Sequence, residues 1–323
     1  MIFITSGHSH RKDIRTMTCF SFETEGIALP QGAWAKTHRR SLCWQGKELL
    51  ACTQGEFRPY LYPVFSPAGF MVTTESPADH PHHNSLWFGT DHLHVRMPVS
   101  GAHYEEYTYC FYVNQTFQGR SPGRILETAI EGTEKSSTHY GIVQTNEWRG
   151  PAEWAADNGR VVAKEIRSFD IKPGEQWHVI DIQSQLLPTE WDVTIGPTRH
   201  AYFNVRVSES MRVNRGGTLT DAEGHFGGNA ITGSGSDWVD YSGPVSSKNT
   251  AGISIFPYPD SKGTWVAYDW GIFTANPFST TQKLLRVGEC LTLKYRLIVH
   301  DGDEKAVNIS NLYDNFLNEI EFG

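Results

Sequence analysis

LTLKYRLIV, residues 291–299, settles the fold class. Leu291, Leu293, Tyr295, Leu297 and Val299 fall on every second position, with Thr292, Lys294 and Arg296 between them. That is the period of a β-strand with one apolar face. Working outward, Ile180, Ile182 and Leu186 share a parity in the same way, and KPGE (residues 172–175) supplies a turn that folds RSFDI (167–171) back as a hairpin. Further short strands fit Leu49 to Thr53, Gly69 to Thr74, Arg124 to Glu131, Gly141 to Asn146 and Gly252 to Phe256, and TCFSFE after Met17 reads as a first strand. Helical spacing occurs at the C-terminus, where Ile309, Leu312, Tyr313, Phe316, Leu317 and Ile320 fall on one face. Turn signals about every ten residues then predict an all-β protein. The expected fold is a large antiparallel β-sandwich with a short C-terminal helix.

The 323 residues suffice for one large β domain, expected over 17–323, with residues 1–16 as a disordered extension. Gly216 to Pro244 is glycine-rich and poorly periodic, and reads as long ordered loops over one face. A net charge of -8 gives no basic footprint for nucleic acid, and no stretch is apolar enough to span a membrane. Cys19, Cys43, Cys52, Cys110 and Cys290 are odd in number and lack CxxC spacing, which argues against a disulfide framework and points to the cytoplasm, with the periplasm as the other compartment. A homodimer is compatible with these features.

Two segments carry candidate chemistry. ADHPHHNSLWFGTDHLHV (78–95) gathers His80, His82, His83, His92 and His94. In extended backbone His80 and His82 share a side, able to flank a substrate or to hold a divalent metal, the one cofactor considered. Pro81 places the segment at a sheet edge. GPTRHAYFNVRV (196–207), read as a strand, lines His200, Tyr202 and Asn204 along one face that needs a polar cleft. Each histidine alone is as readily a hydrogen-bonded loop residue, and each tryptophan more often core than platform. Together, Trp87, Trp148, Trp154, Trp238, Trp265 and Trp270 beside polar residues favour a carbohydrate cleft. Asp240, Tyr241, Asp269 and Asn276 are further polar candidates, the last also a turn former before Pro277.

RHAYFN (199–204) resembles the strand of galactose mutarotase proteins in which a histidine, a tyrosine and an asparagine face the sugar, and implies a mutarotase-like supersandwich. A longer resemblance runs from Arg58 to Asp303 through RPYLYPV, DHPHHNSLWFG, WVDYSG, GISIFPYP, WGIFTANPF and GECLTLKYRLIVHDGD. It is to an uncharacterised bacterial family called methane oxygenase PmoA-like (DUF6807-type). The oxygenase name does not suit a chain without apolar spans. Family members carry Arg-Gly where this chain has Asn84 and Ser85. The resemblance implies a carbohydrate substrate, an oligosaccharide or sugar, and likens the chain to lyases and dehydratases of uronic acids.

A β-elimination on a uronic acid needs a base for the proton α to the carboxylate, a neutraliser for that carboxylate and an acid for the departing oxygen. His80, His82, His83, His200 and Tyr202 are the candidate catalytic residues. Arg58 or Arg199, or a metal on His80 and His82, would neutralise, and Trp87, Asn204, Tyr241, Asp269 and Asn276 would bind. The alternatives are a sugar epimerase using Glu289 as its carboxylate, and a noncatalytic carbohydrate-binding protein. A hydrolase is disfavoured because no acidic pair stands out.

Overall fold

The computed structural model describes residues 18–25, 36–152, 156 and 158–322. The expected extension at 1–16, and Trp154, lie outside those residues. Two eight-stranded sheets and one five-stranded sheet are built from antiparallel pairs, except where Ser121–Pro122 runs parallel to His103–Cys110. The first sheet runs, in spatial order, Phe20–Glu25, Lys36–Trp44, Lys47–Gly55, Pro59–Val64, Leu86–Phe88, Phe203–Arg206, Ile272–Asn276 and Thr264–Tyr268. The second has Leu291–Asp301 at its centre, between Thr250–Pro257 and Trp177–Pro188. The KPGE hairpin is present, pairing Phe169 with Ile182. None of the five cysteines is bridged, and no helix among the described residues is long and apolar enough to cross a membrane.

The sandwich closes because alternation points one apolar set from each large sheet inward. Leu61, Leu86, Phe88, Phe203, Val205, Phe273 and Ala275 from the first sheet meet Ile182, Ile253, Ile255, Leu293, Tyr295 and Leu297 from the second. The ring of Phe203 lies 4.9 Å from that of Tyr295. Polar groups caught between the sheets are paired: Arg167 donates to both oxygens of Glu165, which also accepts from Ser184 and from the Trp148 indole at 3.0 Å. The same alternation turns Tyr60, Trp87, Asn204, Arg206, Ile272 and Thr274 to the outer face of the first sheet.

Three expectations need correction. Gly69 to Thr74 forms no strand, only isolated bridges at Met71 and Thr73. Gly216 to Pro244 is not loop throughout: it contains the strands Thr218–Asp221 and Val239–Pro244 at an edge of the second sheet and a short helix, Gly228–Ile231. The two strands pair with each other across the glycine-rich stretch between them, and Val239–Pro244 joins them to Thr250–Pro257. Nor is Leu291–Asp301 half-buried, since Ile298 and His300 on its other face are as enclosed as Leu297. The terminal helix Ile309–Phe322 covers that face, packing Ile309, Tyr313 and Phe316 on Phe256 and Ile298. Arg296 fastens it, forking Asp181 at 2.6 and 2.8 Å and reaching Glu319 at 2.7 Å. Truncating a fully buried phenylalanine leaves a cavity as well as losing transfer energy. Phe316→Ala should therefore lower unfolding free energy by about 3–5 kcal/mol, measured from urea melts, if the helix is integral to the fold.

Candidate functional site

The histidine segment is not extended. The His80 amide bonds the Pro77 carbonyl at 3.0 Å and the His83 amide bonds the His80 carbonyl at 2.9 Å, so residues 77–83 form two successive tight turns. Pro81 stands second in the latter, where its fixed φ suits a turn. Ser76 closes the base by donating to the His83 carbonyl at 2.8 Å. Ser85 takes a φ of 60°, a conformation glycine adopts at least cost. Strand alternation accordingly does not govern which way His80, His82 and His83 point.

The turns lay three imidazoles on the outer face of the first sheet. The His83 ring stacks 5.1 Å from Trp87 and 4.7 Å from His80, and His80 stacks 4.4 Å from Trp270 with parallel planes. Tyr112 joins them, its ring 5.8 Å from His82 and its hydroxyl 3.4 Å from His83 Nε2. The Tyr112 ring is also 4.9 Å from His200. His82, His83 and His200 thus all lie against one tyrosine, and His80 stacks on His83.

His200 belongs to an acid–imidazole pair. Its Nδ1 lies 3.0 Å from Oδ2 of Asp91, a buried carboxylate that also accepts from Arg120 at 3.0 Å and from the Thr198 hydroxyl. Burial pushes the Asp91 carboxyl up, but the bonds from His200 and Thr198 and the Arg120 charge outweigh it and hold the group below the usual carboxylate range. An ionised Asp91 fixes the proton on Nδ1 and leaves Nε2 as the proton-accepting nitrogen. His82 differs. Burial first, and then the nearby charge of Arg58, pull its pKa down to about 4, and burial takes that of His83 well below its ordinary value. Both imidazoles are neutral at neutral pH.

Several candidates stand elsewhere. Tyr202 does not share a face with His200, because the strand begins only at Phe203. Tyr202 is fully buried between the sheets, 6.1 Å from Trp148, with its hydroxyl on Ser184. Arg58 cannot fork a carboxylate: Nη1 donates to the His82 carbonyl and Asn84 Oδ1, and Nη2 to the Tyr112 carbonyl and Asn114 Oδ1, all at 2.7–2.8 Å. Arg199 is exposed beside His200. Asn204 faces the site side of the sheet but bonds the Trp87 and Tyr202 carbonyls and the Thr274 hydroxyl. Asn276 donates to the Thr198 carbonyl and accepts from the Phe278 amide. Tyr241 is buried against the Asp269 carbonyl, while the Asp269 side chain accepts from the Gly228 amide. Asp240 pairs with His300 at 2.8 Å in the second sheet.

Of the tryptophans, Trp87 and Trp270 are at the site, whereas Trp148, Trp238 and Trp265 are core. His94 leaves for the third sheet, bonding Thr108. His80 and His82 form no set with a third ligating side chain among the described residues. Among the described residues the one set of three ligating side chains within reach of each other is Asp221, Glu223 and His225, on a turn after Thr218–Asp221. Asp91, Tyr112 and Arg206 were not singled out from the sequence. Arg206 was within reach, being two positions beyond Asn204 on the same strand face. The larger hollows, of about 430 Å³ between Trp44 and His178 and about 660 Å³ between Thr218 and Ser310, lie elsewhere and hold no comparable group of rings and histidines.

The profile of a protein family described as a family of unknown function (DUF6807) matches residues 43–314. Among solved structures, the Slr1438 protein from Synechocystis sp. PCC 6803 is similar at 10% identity with a TM-score of 0.30, covering 85% of this chain and 99% of that one. No curated protein matches.

A histidine whose folded pKa lies below its unfolded value binds fewer protons folded than unfolded between the two values, so acidification across that window favours unfolding. For His82 the window runs from the ordinary 6.5 to about 4. Urea midpoints measured between pH 7 and 4.5 should fall with pH, and His82→Asn should flatten the fall. An unchanged slope in the variant would mean that His82 is not buried neutral.

Proposed function

The chain belongs to the family of unknown function DUF6807, and from its site we propose that it is an enzyme that moves protons on a carbohydrate, a carbon–oxygen lyase or dehydratase acting on a uronic-acid-containing oligosaccharide. The observation that carries this is the Asp91–His200 pair set 4.9 Å from Tyr112, a ring that also lies 5.8 Å from His82. A carboxylate-oriented imidazole is a general base, and once protonated it is a general acid that can return the proton to a departing oxygen. In the elimination, His200 Nε2 takes the proton α to the carboxylate. That electron pair forms the C=C bond, the β C–O bond breaks, and the departing oxygen takes the proton that His200 then carries, which restores the neutral imidazole. Trp270, half-buried at the edge, is an aromatic platform of the kind on which a sugar ring stacks, though here the rings of His80 and Tyr268 stack on it, so a sugar would have to displace one of them.

The mutarotase likeness of RHAYFN supports a sugar ligand on this sheet. It supports epimerase chemistry less, since Glu289 is exposed on a turn and accepts from the Arg286 amide, away from the histidines. The test is incubation with uronic-acid oligosaccharides, following absorbance near about 230 nm where conjugated unsaturated uronates absorb, since elimination leaves that product whichever acid and base act. The wild type should form product. His200→Ala should lower turnover by about a hundredfold or more, and Asp91→Asn should lower it with His200 intact. Absence of product from any uronate would overturn the elimination.

A further inference from the structure

Beside the histidines, Arg206 ends the outward face of its strand, fully buried, with its guanidinium 4.9 Å from the Trp270 ring. Its partners all sit on one nitrogen. Nη2 reaches both Asp79 oxygens at 2.9 Å and Glu209 at 3.3 Å, while Nε and Nη1 are buried with no hydrogen-bond partner. A buried cation with two unpaired nitrogens is costly, and natural sites keep such groups for a partner that arrives. Arg212 stands next to it, bonding the same Asp79 oxygen at 3.2 Å and Glu209, with its own Nε unpartnered.

Asp79 is part of the histidine turns, and the next residue is His80, whose ring lies flat on Trp270. A carboxylate on Arg206 and a flat ring on Trp270 are the two features of a sugar acid. We propose that Arg206, backed by Arg212, is the carboxylate seat of this protein, that Asp79 and His80 occupy it in the ligand-free chain, and that a uronate binds by displacing them. The seat takes over the neutralising role that Arg58, with both Nη groups engaged, cannot fill. The identity of the ligand as a sugar acid rests on the function proposed above; the seat itself rests on the two arginines.

Calorimetric titration with D-glucuronate and D-galacturonate, with D-glucose and D-galactose as neutral controls, tests this in wild type, Asp79→Asn and Arg212→Gln. Removing the internal competitor should tighten uronate binding about tenfold, because the closed loop taxes affinity by the fraction of chains it occupies. Arg212→Gln should weaken it by about tenfold, with melting temperature as the check on folding. Neither change should alter neutral sugars. In the wild type, amide exchange over residues 77–84 should quicken when a uronate binds, a readout that needs no variant. Uronate binding that is absent, or unchanged by Asp79→Asn, or unaccompanied by faster exchange, overturns the seat. Because these readouts need no turnover, uronate binding by this rule without unsaturated product would remove the lyase and keep the seat, and product formation indifferent to Asp79 would do the reverse.

Discussion

Arg58 holds two irregular segments against one sheet, and the histidine site exists because it does. Its four Nη contacts join the His82 carbonyl and Asn84 on one segment to the Tyr112 carbonyl and Asn114 on the other. Burial draws its pKa down to about 10, which still leaves it charged at neutral pH. Each acceptor it serves would otherwise be a buried polar group in want of a donor, at about 1–3 kcal/mol apiece. Side-chain packing alone would leave these turns several orientations. A planar cation with fixed donor directions narrows them, and so holds the Tyr112 segment beside the end of the histidine turns.

The sandwich supplies the plate on which this is mounted. Phe203 and Val205 face the core while Asn204 and Arg206 face outward from the same four-residue strand, so inner packing fixes the position of outer chemistry. Trp87 does likewise between Leu86 and Phe88. The backbone pairs that register these strands also draw residues 89–91 alongside 200–202, with the Gly89 amide on the Tyr202 carbonyl and the Asp91 amide on the His200 carbonyl. Those two bonds bring Asp91 within reach of His200 across 109 residues of sequence.

Alternation at Leu291–Asp301 and helical spacing at Ile309–Phe322 were legible because each is a local pattern repeated over many residues. The composition of the site was partly legible, since five histidines in one short stretch is a local fact as well. Its geometry was not. Tyr202 looked like the neighbour of His200 because a strand reading starts too early there, and Arg58 looked like a ligand clamp because nothing local reveals that four distant oxygens occupy both its Nη groups. Asp91 is one carboxylate among 36 acidic residues, and its partnership with His200 is a product of strand pairing. Such partnerships depend on non-local contacts that no window of sequence contains.

The central claim is that ligand chemistry belongs to the outer face of the first sheet, at the rings and histidines around Tyr112. A crystal structure of the protein soaked with a uronic-acid oligosaccharide tests it most directly. The account predicts a sugar ring against Trp270, with a carbon-bound proton facing His200 Nε2. Sugar seated instead between Trp44 and His178, or in the cavity between Thr218 and Ser310, with the histidine turns empty, would contradict it.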